Sequence, residues 1–137
     1  MARDDLTSGS IILYPYLWKW QADRGESEGR KDRETVIATR FVIEGEELFA
    51  LLPVTSQPPV KGSASYGLPA LEVQRLQRGN PGRLWIILDE FNVDRAVGSF
   101  YITPDCKRGE LSRAVYRRLY EAFLNAAPLA HRVNRTE

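Results

Sequence analysis

The sequence predicts a mainly β protein of the α+β class: a small, strongly bent sheet or barrel of five to seven antiparallel strands, capped by one C-terminal amphipathic helix. Two observations carry this prediction. Short segments rich in strand-forming residues follow one another up to residue 102, with Gly, Pro or charged turns between them. The one segment with a convincing helical period, residues 109–127, comes after all of them.

The first three predicted strands are apolar segments that end in turn or loop residues. "SIILYPYLWKW" predicts the first strand, and Pro15 marks its end or a bulge within it. "ETVIATRFVI" predicts the second strand, and Glu44-Gly45 after it suits a tight hairpin turn. "ELFALLPVTS" predicts the third strand, and its nearly continuous apolar residues are typical of a strand that is buried on both faces.

The remaining elements are less regular until the helix begins. "QPPVKGSASYG" indicates coil, "GLPALEVQRLQR" fits either a short helix or an irregular strand, and "LWIILDEFNVDRAV" and "GSFYI" indicate strands. In the helix, an apolar stripe is predicted to face the core. The stripe consists of Leu111, Ala114, Val115, Leu119, Ala122 and Phe123. Pro128 ends the helix, and the tail over residues 128–137 is predicted to be flexible.

The composition bounds the class of protein. A chain of 137 residues, 43% hydrophobic and 27% charged, predicts a single globular domain over residues 1–137. The net charge of +1 provides no global attraction for nucleic acid, so any basic site is local. No apolar run approaches the ~20 residues of a membrane-spanning helix, and the N-terminus lacks the basic start of a signal peptide. The single cysteine fits a reducing compartment, so we expect a soluble, cytoplasmic protein.

Metal and cofactor chemistry find little support in the sequence. One histidine, one cysteine and no paired carboxylate spacing leave no set of zinc ligands, and a magnesium site from Asp89, Glu90 and Asp94 is nonspecific. Neither a G-x-x-x-x-G-K phosphate loop nor a G-x-S-x-G nucleophile elbow occurs. We therefore predict that the protein uses no metal and no cofactor.

The segment "GESEGRKDRETVIATRF", residues 25–41, changes from charged, glycine-bearing coil to an apolar alternating run. Runs of mixed charge usually face solvent, which makes an ordinary solvated loop the simpler interpretation. A loop that holds an arginine over an anionic substrate fits the same residues. The pattern alone leaves both interpretations open.

Three segments resemble the MazF/PemK (Kid-like) toxin family of bacterial type II toxin–antitoxin modules. They are "GSIILYPYLW", "GESEGRKDRETVIA" and "LLPVTSQ", within about residues 9–57. Family members carry a G-x-E-Q-x-G-x-R-P-x-V-V loop and strand, and a later V-P-x-T-S/T-like corner. The loop matches in kind, with stretched spacing, at Gly25, Glu26, Gly29 and Arg33. Thr55 matches the threonine of the corner, whereas Glu34 replaces the proline that follows the arginine.

The resemblance implies an SH3-like barrel, a homodimer, and a toxin-like, sequence-specific endoribonuclease that cleaves single-stranded RNA without a metal and is neutralised by an antitoxin. In this reaction the ribose 2′-hydroxyl attacks the adjacent phosphorus, which leaves a cyclic phosphate and a 5′-hydroxyl end. Arg33 would stabilise the charge on the phosphorane oxygens, with proton transfer as a second role, and Thr55 would hold a phosphate oxygen. The implied RNA-binding residues are Trp18, Glu26, Arg30, Lys31, Ser56 and Gln57.

The hairpin predicts where the two implied catalytic residues lie. Arg33 precedes the second strand and Thr55 ends the third, and the two arms on either side of Glu44-Gly45 match in length. In an antiparallel pair, the beginning of one strand lies opposite the end of the next. We therefore expect Arg33 and Thr55 at one end of the sheet.

Several alternatives stay open. A non-catalytic barrel that binds a protein target, as related topoisomerase-poisoning toxins do, is the alternative function, because a fold does not define an activity. Trp18 and Trp20 fit base stacking, core packing or a dimer contact. The arginines Arg75, Arg78 and Arg83 fit either a phosphate track or a solvated turn.

Overall fold

Eight strands and three α-helices make up the part of the chain that the computed structural model describes, residues 5–29, 31–76 and 82–136. The strands are β1 (Ser10–Tyr14), β2 (Arg33–Ile43), β3 (Glu46–Thr55), β4 (Ser65–Gly67), β5 (Trp85–Ile87), β6 (Glu90–Arg95), β7 (Lys107–Glu110) and β8 (His131–Asn134). The helices are α1 (Lys19–Asp23), α2 (Ala70–Leu76) and α3 (Arg113–Ala126), and a short 3-10 helix, Ala127–Leu129, follows α3. None of these helices combines the length with the apolar character that a membrane crossing requires.

The strands form one branched sheet rather than a closed barrel. Its main path runs β4-β5-β3-β2-β1-β7, while β6 pairs with β3 and β8 pairs in parallel with β6. The sheet branches because the long strand β3 pairs with β6 through Leu48–Leu51 and with β5 through Val54–Thr55. A mainly β fold of the α+β type is therefore confirmed. The predicted count of five to seven strands is wrong, and the sheet does not close within the described residues.

The β2–β3 hairpin is the centre of the sheet, and its turn confirms the prediction from Glu44-Gly45. Ile43 pairs directly with Glu46, so the connection has only the two residues between them. Glu44 has a φ of 52° and Gly45 a φ of 81°, the left-handed values that a type I′ turn needs at both positions. Because this turn matches the twist of the two strands, it sets the register of the hairpin as far as the pair Thr39–Ala50. Between Thr39 and Ile37 an irregularity in β2 shifts the pairing by one residue.

The central hairpin is buried on both faces. On one face, α3 packs against the sheet through its apolar stripe, of which Val115, Leu119 and Phe123 are buried. On the other face, aromatic and aliphatic residues form a second cluster beneath Leu6 and the segment 96–106. Every residue of Leu48–Val54 in β3 is buried, which confirms the predicted doubly buried strand.

Before the tail, the structure differs from the predictions at the first strand, at "GSFYI" and at the start of the last helix, which begins at Arg113 rather than at residue 109, and it decides one alternative that the sequence left open. The first strand ends at Tyr14, directly before Pro15, and the following residues lead into α1, which the sequence did not predict. The ambiguous segment after Gly67 is the helix α2. "GSFYI" is not a strand, and β7 instead pairs with β1. The strand β7 has the sequence "KRGE", which lacks strand-forming residues, so its conformation depends on its partner strand rather than on local preference.

The C-terminal tail contains strand β8 where the sequence predicted flexible coil over residues 128–137. Directly after β8 in the sequence, the side chain of Arg135 is buried. Its guanidinium donates hydrogen bonds to the carbonyl oxygen of Pro15 (2.8 Å) and to Oδ1 of Asn92 (3.2 Å). It also lies 4.0 Å from the centre of the Tyr101 ring. All of these partners are distant in sequence, which is why the polar tail did not indicate them.

Candidate functional site

Arg33 and Thr55 lie at the same end of the sheet. Arg33 begins β2 and Thr55 ends β3. The pairing of these strands runs as far as Thr35 opposite Pro53, and Arg33 and Thr55 each lie two residues beyond that pair. Because side chains alternate along a strand, an offset of two residues leaves both on the same face. We call this end of the sheet, with Lys31, Arg33, Thr55 and Ser56, the Arg33 edge.

Two clefts meet at the Arg33 edge. The first has a volume of about 300 Å³ and lies where β2 and β3 part; it is lined by Lys31, Asp32, Arg33, Glu34, Val54, Ser56 and Leu84. The second has a volume of about 250 Å³ and is lined by Tyr16, Trp18, Trp20, Gln21, Lys31 and Arg33. Lys31 and Arg33 border both clefts, so these two cations form the wall between them.

Each of the three tryptophans of the chain has an arginine over its ring. The guanidinium carbon lies 5.2 Å from the ring centre in the pair Arg33–Trp18, 5.7 Å in Arg24–Trp20 and 5.1 Å in Arg83–Trp85. These are distances at which the negative face of an aromatic ring attracts a cation. Within residues 5–29, 31–76 and 82–136, none of the three arginines forms an ion pair with a carboxylate.

Five basic residues elsewhere on the described surface form ion pairs with carboxylates. The ion pairs are Lys19–Asp23 (2.6 Å), Arg40–Glu47 (2.9 Å), Arg75–Glu72 (2.9 Å), Arg95–Glu46 (2.9 Å) and Lys107–Glu110 (3.0 Å). Arg75 therefore has a structural role, because Glu72 also accepts a hydrogen bond from the N–H of Ser112 at the start of α3. Arg78, a further candidate for phosphate contact, lies outside the described residues.

The residues that follow β3 form a small polar turn. The hydroxyl oxygen of Thr55 accepts a hydrogen bond from the N–H of Gln57 (3.0 Å). This bond uses one lone pair of the oxygen and leaves the hydroxyl proton available to a ligand. Ser56 and Gln57 are exposed, and Ser56 lines the first cleft. Thr55, Ser56 and Gln57 thus lie together in one turn at the end of the sheet where β2 begins, and Ser56 shares the first cleft with Arg33.

The charged loop is only partly at the site. Lys31 borders both clefts, and Arg30 lies outside the described residues. Glu26 lines neither cleft and instead borders a separate cavity of about 370 Å³ beside β8. At Gly29 the loop approaches the end of β1 so closely that a Cβ atom would overlap the carbonyl oxygen of Pro15. The loop is therefore held against β1, which positions Lys31 and Arg33.

Polar residues of β6 hold the segment that carries Trp18. Asn92, which is fully buried, accepts a hydrogen bond from the N–H of Leu17 (2.9 Å) and donates one to its carbonyl oxygen (2.8 Å). Glu90 accepts hydrogen bonds from the N–H of Lys19 (3.0 Å) and the hydroxyl of Tyr16 (3.1 Å). The backbone on both sides of Trp18 is therefore held by side chains of one strand, and we call these contacts of Asn92 and Glu90 the β6 clamp.

Burial raises the pKa of three acidic groups on β6 or next to it, Glu90, Tyr16 and Tyr14. Burial raises the pKa of Glu90, against the opposing effect of the hydrogen bonds that it accepts from Lys19 and Tyr16. Burial also raises the pKa of Tyr16 well above its ordinary value, and the neighbouring Glu90 carboxylate adds to this shift. Tyr14, whose hydroxyl donates to Asp94 (2.7 Å), likewise has its pKa raised by burial and then by Asp94. Both tyrosines thus remain neutral hydrogen-bond donors.

Two carboxylates accompany the cations of the first cleft. Asp32 is exposed, and Glu34 is half-buried with its side chain also bordering a small apolar cavity near Leu84. Lys31 and Arg33 balance these two acids within the lining. Among the residues that the structure describes, no cluster of three or more His, Cys, Asp or Glu side chains is placed to hold a metal ion.

The residue that the sequence interpretation missed is Trp85. It lies within the apolar run "LWIIL", which indicated only a buried strand. In the structure Trp85 pairs directly with Thr55, so its side chain shares the face of Thr55, while the adjacent Ile86 packs into the core on the opposite face. Alternation along the strand would have separated Trp85 from Ile86, but nothing local indicates that β5 lies next to β3.

No protein-family model, curated protein or solved structure matches this chain. The resemblance to the MazF/PemK family therefore stays a prediction from short sequence motifs.

Proposed function

We propose that the protein is a MazF/PemK-like endoribonuclease that cleaves single-stranded RNA at the Arg33 edge without a metal ion. The observation that carries the proposal is the position of Arg33. Its guanidinium stands between two clefts and over the ring of Trp18, with no carboxylate partner among the described residues. A planar guanidinium in that state can bind two phosphate oxygens, and an adjacent indole can stack on an unpaired base.

The proposed reaction requires a nucleophile, stabilisation of charge and two proton transfers. The ribose 2′-oxygen attacks the adjacent phosphorus, and its proton passes to a base. The bond between phosphorus and the 5′-oxygen then breaks as that oxygen takes up a proton. Arg33 stabilises the charge on the nonbridging oxygens. Asp32 and Glu34 line the same cleft and supply carboxylates for the first proton, and the Lys31 ammonium can donate the second.

The remaining contacts to RNA follow from the neighbours of Arg33. The Thr55 hydroxyl proton and the exposed Ser56 hydroxyl are donors for phosphate oxygens, and Gln57 extends the same turn. Trp18 supplies the aromatic face. Because Trp18 is bracketed by the β6 clamp, it provides a rigid surface and loses little conformational freedom when a base binds.

The proposal includes the partners and the setting that the family resemblance implies. Single-stranded RNA is the substrate, an antitoxin protein neutralises the enzyme, and two copies form a homodimer in the cytoplasm. The half-exposed Trp20, near the Arg33 edge, supports a contact with a second copy. The antiparallel β2–β3 hairpin at the centre of the sheet supports a relationship to SH3-like barrels, with the branch at β3 as a departure from them.

A non-catalytic module that binds a protein target is the second candidate function. The hydrogen bond from the Gln57 N–H to the Thr55 hydroxyl favours this second function, because such a bond is expected in a turn that has only a structural role. The two carboxylates of the first cleft favour it as well, since they offset the positive charge that a phosphate needs. In this case the Arg33 edge would contact a protein surface.

Cleavage of RNA in the presence of EDTA tests the proposal. A pool of single-stranded RNAs that contains all short sequences is incubated with the purified protein, and the ends of the products are analysed. We expect 2′,3′-cyclic phosphate and 5′-hydroxyl ends, and a rate about 100-fold lower for Arg33→Ala. Arg117→Ala is the matched control, because Arg117 is exposed on α3, on the other face of the sheet.

Three results would decide against the enzyme. The first is a parent protein that leaves the entire pool intact, and the second is an Arg33→Ala variant that unfolds at the same urea concentration as the parent and cleaves as fast. Cleavage that the Arg117→Ala control loses to the same degree would show a general effect of charge. Binding of RNA without cleavage would favour a non-catalytic module.

A further inference from the structure

Trp85 and Arg83 stand on the far side of Thr55 from Arg33. Trp85 on β5 pairs directly with Thr55 on β3, and β3 in turn pairs with β2, which begins at Arg33. Neighbouring strands lie about 4.8 Å apart, so roughly 10 Å separates the backbones of Trp85 and Arg33, with Thr55 between them. The side chains of Trp85 and Thr55 share one face, the face that also carries Arg33.

The pair has the same construction as Arg33 and Trp18. Arg83 is exposed, lies 5.1 Å from the centre of the Trp85 ring and has no ion-pair partner among the described residues. The indole is supported from the side of β4 by Gly67, where an added Cβ atom would come within 3.5 Å of the ring. Gly67 thus lies beside the indole at ordinary van der Waals distance, and Arg83 covers the ring.

We propose that Trp85 and Arg83 form a second nucleotide-binding position, which takes an unpaired base next to the phosphate held at Arg33. This inference rests on the proposed function. Unpaired bases stack on aromatic rings and on the planes of arginine guanidinium groups, and Arg83 over Trp85 offers both chemistries in one place. The RNA then crosses β2, β3 and β5, with Thr55 and Ser56 beneath its backbone and one tryptophan–arginine pair on each side.

A structural role for Trp85 alone predicts a different behaviour. An indole that only covers Gly67 would contribute to the stability of β4 and β5, and Arg83 would then be dispensable for RNA binding. Variants of Arg83 that leave Trp85 in place therefore separate the two roles. They also avoid the loss of folding that replacement of Trp85 risks.

The test is the affinity of the full chain for a single-stranded 2′-O-methyl RNA hexanucleotide, measured by fluorescence anisotropy. The methyl group blocks the attacking oxygen, so binding is measured without cleavage. We expect Arg83→Ala to weaken binding about tenfold, the size of one lost base-stacking contact. Arg83→Lys should recover little of this loss, because lysine keeps the charge but has no plane. Arg117→Ala removes one charge from the other face and should bind as the parent does.

The outcomes distinguish this inference from the proposed function. If Arg83→Ala binds as tightly as the parent while Arg33→Ala still loses cleavage, the second position is refuted and the nuclease stands. Full recovery by Arg83→Lys would refute base stacking, since charge alone would then be sufficient. If the parent binds no single-stranded RNA, both the second position and the nuclease are refuted.

Discussion

Replacing Asn92 by alanine removes the centre of the clamp that positions Trp18. The side chain bonds to both the N–H and the carbonyl oxygen of Leu17, and it accepts a third bond from Arg135. Leu17 is 3% exposed, so water has little access to the two backbone groups that the variant leaves behind. Each buried polar group without a partner costs about 1–3 kcal/mol, so Asn92→Ala should lower the free energy of unfolding by about 2–4 kcal/mol.

Urea unfolding followed by tryptophan fluorescence measures this loss. A domain of this size has a free energy of unfolding of about 5–15 kcal/mol, so the variant should still fold. Asn134→Ala is the matched control, because Asn134 is exposed and its side chain accepts hydrogen bonds only from Thr136 among the described residues, so its effect should stay within about 0.5 kcal/mol. An Asn92→Ala variant as stable as this control would refute the clamp, and with it the reason for a rigid Trp18.

Two other predictions concern the loop and the clamp. Gly29→Ala forces a Cβ atom onto the Pro15 carbonyl oxygen and should cost about 1–3 kcal/mol in thermal unfolding, whereas Gly62→Ala, with open space but positive φ, reports the cost of backbone strain alone. Burial raises the pKa of Glu90, so between the ordinary and the raised pKa the folded protein still holds the Glu90 proton and the unfolded chain has lost it. The free energy of unfolding of the parent therefore falls as the pH rises through this interval. Glu90→Gln should therefore gain stability relative to the parent between pH 4 and pH 7, and an unchanged difference across this range would contradict the shift.

Features that depend on local chemistry were predictable from the sequence. The Glu44-Gly45 turn needs two left-handed residues and occupies two positions, so it defines the two hairpin arms and brings Arg33 and Thr55 to the same end of the sheet. The helical spacing of the apolar residues in α3 likewise predicts a helix that packs against one face of the sheet. These elements carry their own signal because the residues that determine them are neighbours in sequence.

Features that depend on distant partners were not predictable. The strands β7 and β8 are polar and short, and each exists because a partner, β1 or β6, supplies the hydrogen bonds. The same holds for the site. Trp85 reaches Thr55 only because β5 pairs with the last residues of β3, and Asn92 reaches Leu17 from a strand that is distant in sequence. A closed barrel was expected because the sequence does not show that β3 serves two partners at once.

The indole N–H signals of the three tryptophans test the central claim most directly, because each one reports on a different arginine-covered ring. The measurement is a two-dimensional ¹H–¹⁵N NMR titration of the protein with single-stranded 2′-O-methyl RNA, with each indole assigned through a Trp→Phe variant. If the Arg33 edge binds RNA, the indole signal of Trp18 shifts in a saturable way, and Arg33→Ala weakens this response while Arg117→Ala does not. If the backbone amides of α3 shift while all three indole signals stay unchanged, RNA binds elsewhere and the account of the Arg33 edge is wrong.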